Sequence, residues 1–221
     1  MSWTAHPIHF VDFEGSLASG ILEYGVVTLR DGAVTALHTR LCRPTGRIRA
    51  EDTAVHGLGK DALAGCAPFA ADFEAFATWR AQGPFAAHFA GAENSLIKSV
   101  WPYGRTAPDF SRPGEATADW GPWIDTGALY RQHHPGAVTL KLAELVAACG
   151  LQAELDRLAG ATCPPARRAY HAAPYDALAG ALLLLALAED PAHAQLTLAE
   201  ILARSTLDGE RRDQMRQGNL F

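Results

Sequence analysis

The sequence predicts one α/β domain: a mixed β-sheet whose first three strands run antiparallel, with helices on its faces. Three observations carry this. Segments rich in β-branched and aromatic residues, at 8–13, 21–29 and 33–42, follow one another with only tight turns between them. From residue 50 onward helical periodicity alternates with short apolar strands, the pattern of a layered α/β fold. A chain of 221 residues, 48% of them hydrophobic, can bury roughly 70% of its unfolded surface around one core without a metal or disulfide staple.

Each element has its own signal. Ile8, Phe10, Val11 and Phe13 open the first strand, and Asp31-Gly32 supplies the hairpin turn between the second and third. Over 68–81 the residues Phe69, Phe73, Phe76 and Trp79 recur at helical spacing behind Pro68, and these aromatics read as core rather than as a cofactor box. Gly83-Pro84 stops that helix; residues 85–88 read as a short apolar strand leading to a helix over 93–100. Residues 102–122 carry four prolines and no period, an irregular excursion whose Tyr103, Phe110 and Trp120 are expected to pack onto the domain. Order returns at 123–126, a helix over 139–149 closes at Gly150, and Pro174 opens the last long helix, to about residue 189. Residues 1–189 form the expected domain. Residues 190–221 form a tail, with a helix over 196–204 and a polar stretch at 209–219, packed on the domain or at a homo-oligomeric interface.

Composition excludes several classes. Disorder, collagen-like and repeat architectures do not fit. The apolar run at 177–188 is shorter than the roughly 18 residues that would cross a bilayer, and it follows the ionisable Asp176, so it reads as a buried helix. The N-terminus lacks a basic region followed by an apolar run, and a cytoplasmic protein is expected. Cys42, Cys66, Cys149 and Cys163 lie far apart with no Cys-x-x-Cys spacing, which argues for buried or inert thiols rather than zinc or disulfides. A net charge of −5 is unfavourable for a nucleic-acid binder that relies on Lys and Arg.

Two constellations carry chemistry. Asp12 and Glu14 sit two apart on the first strand, so both point to one face, flanked by Phe10, Val11 and Phe13. Two neighbouring carboxylates repel, and a hard divalent cation such as Mg²⁺ or Mn²⁺ would relieve the repulsion. A solvent-exposed acidic edge explains the pair equally well. Further on, His171 precedes Asp176 by five residues, with Asp176 in the first turn of the helix that Pro174 opens, where the helix dipole favours a carboxylate. A loop histidine beside a helix start is commonly structural.

Taken together, these residues resemble the DEDDh 3′-to-5′ exonucleases, which include polymerase proofreading subunits, oligoribonuclease and RNase T. Val11-Asp12-Phe13-Glu14 is similar to the family's first motif, and His171-Ala-Ala-Pro-Tyr-Asp176-Ala177 to its third. Arg43-Pro44 with Ile48, then His56-Gly57-Leu58, Pro68-Phe69, and Asp125-Thr126 with Leu129 and Arg131 are similar to its connecting segments, so the resemblance spans residues 8–189 in order. The second motif departs: in His88-Phe89-Ala90-Gly91-Ala92-Glu93, Glu93 stands where the family has Asp, adding about 1.5 Å of reach. Gly15 follows Glu14 where the family often has Thr.

The resemblance implies an RNase H-like fold and a two-metal hydrolysis of phosphodiester bonds. It implies that Asp12, Glu14, Glu93 and Asp176 hold two divalent ions, Mg²⁺ or Mn²⁺, with Glu14 also near the attacking water and His171 as general base. Phe13, Gly15, Ser16 and His56 are the implied substrate contacts. Single-stranded DNA or RNA 3′ ends, or short oligonucleotides, are the implied partners, nucleoside 5′-monophosphates the products, and no membrane is involved. The alternative is a catalytically weakened module on the same fold that binds nucleic-acid ends or a protein. Four of the formal negative charges belong to the implied site, so the remainder is near neutral and the electrostatic objection recedes. Arg40, Arg43, Arg47 and Arg49 are either phosphate contacts or an ordinary solvated loop. Asp125 belongs to a helix start, where capping explains it.

Overall fold

The computed structural model describes residues 2–133 and 139–206. Strands β1 (Ile8–Ser16), β2 (Gly20–Arg30) and β3 (Ala33–Leu41) form an antiparallel meander. The β2–β3 turn at Asp31-Gly32 has positive φ at both residues, 52° and 74°, the geometry that matches the twist of a two-residue hairpin. Helices α1 (Ala50–His56), α2 (Lys60–Leu63) and α3 (Phe73–Gln82) precede β4 (Phe85–Ala87), and α4 (Ala90–Val100) follows it. The excursion holds the small ribbon β5 (Ala107–Pro108) and β6 (Ala116–Thr117) and leads to β7 (Ile124–Asp125). Then come α5 (Thr126–His133), α6 (Leu142–Ala148), α7 (Gln152–Thr162), α8 (Ala173–Ala188), α9 (Pro191–Ala194) and α10 (Leu198–Arg204). The sheet order is β3-β2-β1-β4-β7, with β4 parallel to β1 and β7 parallel to β4. This is the mixed sheet, antiparallel over its first three strands, that the sequence predicts.

Period-two geometry divides the sheet into two faces. Ile8 and Phe10 of β1, with Val27 and Leu29 of β2, pack with the apolar residues of α8 and with α5, α6, α7 and α10. Val11 and Phe13, with Ile21, Tyr24 and Val26, meet a second core of Phe69, Phe76, Phe85, Leu96, Ile97, Trp101 and Trp120. The aromatic spacing over 68–81 thus fills a core. The excursion is also packed down: buried Arg80 donates to the carbonyls of Pro108, Trp120 and Gly121, and Trp120 Nε1 donates to the Trp101 carbonyl. Tyr103 alone of its large aromatics stays exposed, at 72%.

Some boundaries differ from the sequence reading. Helix α4 starts at Ala90 rather than 93 because Asp125 accepts from the Phe89 and Ala90 amides, and the same carboxylate caps α5 through Ala128. Residues 139–141 lie outside α6, and there His88 Nε2 bonds the Leu140 carbonyl. Helix α7, which the sequence reading leaves unassigned, buries only Leu155 and Ala159, too narrow a stripe for periodicity to stand out. Beyond residue 189, Leu196, Leu198, Ile201 and Leu202 join the main core, and Trp3 Nε1 donates to the His193 carbonyl. The polar stretch at 209–219 lies outside the described residues. All four cysteines are free, and burial pushes the Cys42 thiol up to about 12. Among the described residues no helix is long and apolar enough to cross a membrane.

Two glycines set the distance between α8 and the sheet. A Cβ on Gly180 would collide with the Phe10 ring, and one on Gly25 with the Ala173 carbonyl and Pro174. Gly180→Ala should therefore cost about 1–3 kcal/mol in urea unfolding, as overpacking does. Gly160→Ala, in α7 with nothing near its Cβ, should stabilise by about 0.5–1 kcal/mol. Equal effects of the two substitutions would contradict this packing.

Candidate active site

The site forms where β1 runs past its shorter parallel neighbour. β4 pairs with β1 only at His9 and Phe10, so Asp12 and Glu14 lie beyond the end of β4, where α4 begins. Crevices of this kind, at strand ends where the sheet changes direction, are common ligand sites in α/β folds. Asp12 and Glu14 share the face on which α8 packs. Asp176 enters from the first turn of α8 and Glu93 from the first turn of α4, each where the helix dipole favours an anion.

These carboxyls are held in an unusual protonation range. Asp12 is raised well above its ordinary value by burial first, then by Glu93, Asp176, Glu14 and Glu23. Burial, with Asp176 and Glu23, pushes Glu14 up to about 8 against the pull of Arg167. Glu93 rises to about 8 through burial and Glu14, partly offset by a hydrogen bond from the Phe13 backbone. Asp176 rises to about 7 through burial, opposed by the His171 amide, which donates to its Oδ2 at 2.9 Å, and by Arg167. Glu93 Oε2 and Asp176 Oδ1 are buried with no hydrogen-bond partner. Buried carboxylate oxygens with no donor, crowded by like charges, are the donor set a hard divalent cation fits.

His171 stands at the rim, exposed, in the left-handed region at φ 66°. One ring nitrogen and one oxygen each from Glu14 and Asp176 lie within 4.8 Å of one another. Its backbone is tied on both sides: the amide to Asp176 and the carbonyl to Arg167 Nη2.

The structure thus brings Asp12, Glu14, Glu93, Asp176 and His171 together, and sorts the implied substrate contacts. Phe13 points its ring away, edge-on to Phe69 at 5.4 Å between centroids, so only its backbone faces the site. Gly15 sits at a β-bulge with φ 134°, where a Cβ would strike the Gly20 carbonyl. Ser16 spends its hydroxyl on the tight turn, bonding Ser19 at 3.1 Å. His56 is buried, its Nδ1 accepting from Leu58 N and its carbonyl taken by Arg167. Arg40 is engaged within the fold, its guanidinium held by Asp72 and the Ala67 and Pro68 carbonyls. Asp125 is a double helix cap.

Sequence reasoning missed Glu23 and Arg167. Glu23 lies opposite Glu14 on β2, buried, and binds Arg167 in a two-pronged pair at 2.9 and 2.6 Å while its Oε2 also accepts from Ala173 N. The pair fixes the loop that carries His171 and the start of α8. A signal existed: Glu23 is an acid inside the otherwise apolar run of 21–29.

No model of a known protein family matches this chain, and no curated protein does. Solved structures do. Exonuclease X in complex with 5′-overhanging duplex DNA is similar at 24% identity and TM-score 0.60, over 88% of this chain and 99% of that one. A 3′-exonuclease captured in 3′-end-specific recognition of a histone mRNA stem-loop is similar at 12% identity and TM-score 0.59, over 86% and 84%. E. coli exonuclease I in complex with a dT13 oligonucleotide is similar at 10% identity and TM-score 0.58, over 83% of this chain and 41% of that longer one. At these identities the likeness is one of fold: the RNase H-like fold of 3′-exonucleases.

The raised carboxyls make stability depend on pH. The folded chain binds protons here more readily than the unfolded chain, so this contribution is lost as pH rises through about 7 to 8. His9 acts oppositely but only below about 6.5, since burial holds it down to about 4 in the fold. Chelator-treated protein should therefore show Tm falling between pH 6.5 and 8, roughly the window the two sets leave clear. A Tm flat or rising across that window would contradict the site electrostatics.

Proposed function

We propose that this chain is a divalent-metal-dependent 3′-to-5′ exonuclease that shortens single-stranded DNA or RNA and releases nucleoside 5′-monophosphates. The observation that carries the reading is the convergence of four carboxylates from three separate elements, with unpartnered buried oxygens on Glu93 and Asp176, beside the exposed His171. The exonuclease fold of the structural neighbours supports it.

Asp12, Glu14, Glu93 and Asp176 would hold two ions, Mg²⁺ or Mn²⁺. When bound, such ions neutralise charge on the phosphoryl oxygens and let water attack near neutral pH. His171 serves as general base, accepting a proton at the ring nitrogen that faces Glu14 and Asp176, and its exposed position returns that proton to solvent. Glu14 orients the attacking water. Gly15, having no side chain, lets a terminal nucleotide approach the β1 backbone. Glu23 and Arg167 act as positioning residues, holding the His171 backbone. Residues 1–189 carry this chemistry in a cytoplasmic protein, and the chain from 190 to 206 braces them.

One observation favours a second reading. Glu93 carries a longer side chain than the Asp of the resembled motif; if its carboxylate cannot complete the metal pair, the protein is a module that binds nucleic-acid ends without turnover.

A 5′-labelled oligonucleotide incubated with Mn²⁺ should shorten stepwise from its 3′ end and stay intact with chelator. Intact strands that remain bound would select the binding module. Asp12→Ala should abolish shortening while leaving the circular dichroism spectrum unchanged; full turnover would reject its role in holding the ions. His171→Ala should slow turnover by roughly 10²- to 10⁴-fold, and an undiminished rate would remove it as the base.

A further inference from the structure

A second group of possible metal ligands lies where the end of α5 meets the junction of α8 and α9. His133 closes α5, Asp190 precedes α9, and His193 lies within it. Asp190 divides its oxygens. Oδ1 caps α9 by accepting from Ala192 N at 2.9 Å, while both imidazoles turn Nδ1 toward Oδ2, His193 at 3.3 Å and His133 at 3.5 Å. The rings meet edge-on, with centroids 4.9 Å apart and planes at 81°, and one ligand atom from each of the three residues lies within 4.8 Å of the other two. His193 is largely buried, at 9% side-chain exposure, while His133 and Asp190 keep 29% and 31%.

His193 Nδ1 lies within hydrogen-bond range of Asp190 Oδ2, and the same separations suit a shared cation. Charge-assisted hydrogen bonds from imidazole to carboxylate settle at about 2.7–2.9 Å, and both contacts here are longer. Zinc bonds to nitrogen and oxygen are about 2.0–2.1 Å, which sets neighbouring ligand atoms of a tetrahedron about 3.3–3.4 Å apart. The Asp190 contacts match that edge. Two imidazoles with one carboxylate favour zinc or another late first-row ion, whereas the all-oxygen set around Asp12 favours Mg²⁺ or Mn²⁺.

We infer that His133, Asp190 and His193 form a zinc site, separate from the carboxylate centre, that clamps the end of α5 to the chain beyond α8. Three protein ligands leave the fourth position to water. The clamp reaches the N-terminus as well, because the His193 carbonyl accepts from Trp3 Nε1 at 2.8 Å.

The test uses the full chain carrying Asp12→Ala and Asp176→Asn, so that neither the four-carboxyl cluster nor the Glu14–His171–Asp176 group within it takes up zinc and obscures the second site. Zinc alone is titrated against a chromophoric chelator, and Co²⁺ is added separately to read the visible bands of tetrahedral coordination. One equivalent of Zn²⁺ should bind. Adding His133→Ala should weaken it on the order of 100-fold and abolish the Co²⁺ bands. Asp190→Asn should do the same, and since Asn also caps helices, loss of zinc there is separable from loss of fold, which a melting curve without metal verifies. Failure of the Asp12→Ala, Asp176→Asn protein to bind zinc, or binding unchanged by both further substitutions, would overturn the site.

Discussion

Crowding of like charge at the end of β1 that extends beyond β4 is the constraint around which the rest of the molecule is arranged. Asp12 and Glu14 come from one strand, and Glu93 and Asp176 arrive from two helix starts, all in surroundings that disfavour ionisation. The fold offers partial compensation through the positive ends of α4 and α8, the Phe13 backbone and the His171 amide. The nearby guanidinium, Arg167, is held along its Nε–Nη2 edge by both oxygens of Glu23, which offsets its charge. Repulsion is thus left to protons or to a cation. Keeping the cluster therefore lowers the stability of the bare fold, a common feature of sites whose function needs the strain.

Holding such a cluster in place requires stiff supports. Gly180 and Gly25 let α8 lie close against Phe10 and β2, so Asp176 is positioned by backbone-to-ring contact rather than by a flexible side chain. The Glu23–Arg167 pair completes the arrangement. It ties β2 to the Ala173 amide and to the carbonyls of His56 and His171, so one ion pair sets the starts of both the loop and the helix. Removing one member of a buried pair like this leaves an uncompensated charge, typically at about 3–5 kcal/mol. Any slip of α8 would move Asp176 and His171 together.

Much of this was legible in the residues. The meander could be read because each strand carries its own β-branched run and Asp31-Gly32 fixes one turn. Asp12 and Glu14 could be placed on one face because the side-chain period of a strand is two, and the same rule sends Phe13 into the aromatic core, which makes it a poor base-stacking ring. The Glu23–Arg167 pairing is not legible in the sequence because its members stand 144 residues apart, and no local pattern marks an arginine as the partner of a buried acid. Helix α7 escaped because its small residues, three alanines and one glycine, leave only Leu155 and Ala159 as a buried stripe. The role of Asp125 was readable as a cap, but that one carboxylate serves two helices follows only from the adjacency of β4 and β7.

Glu93 is where the motif pattern and the structure have to be weighed against each other. Its helix cannot shift freely: Asp125 holds the first amides of α4 against the end of β7, and Phe89 enters the helix through the left-handed region at φ 63°. With the backbone fixed, the extra methylene has to be absorbed by the side chain. It is absorbed by reach, since the carboxyl extends to the Phe13 backbone, the link between Asp12 and Glu14 on β1. One oxygen remains buried and unpartnered at that point. A glutamate anchored beside both strand carboxylates, with a lone pair still unused, is in a better position to share a cation with them than to lie idle.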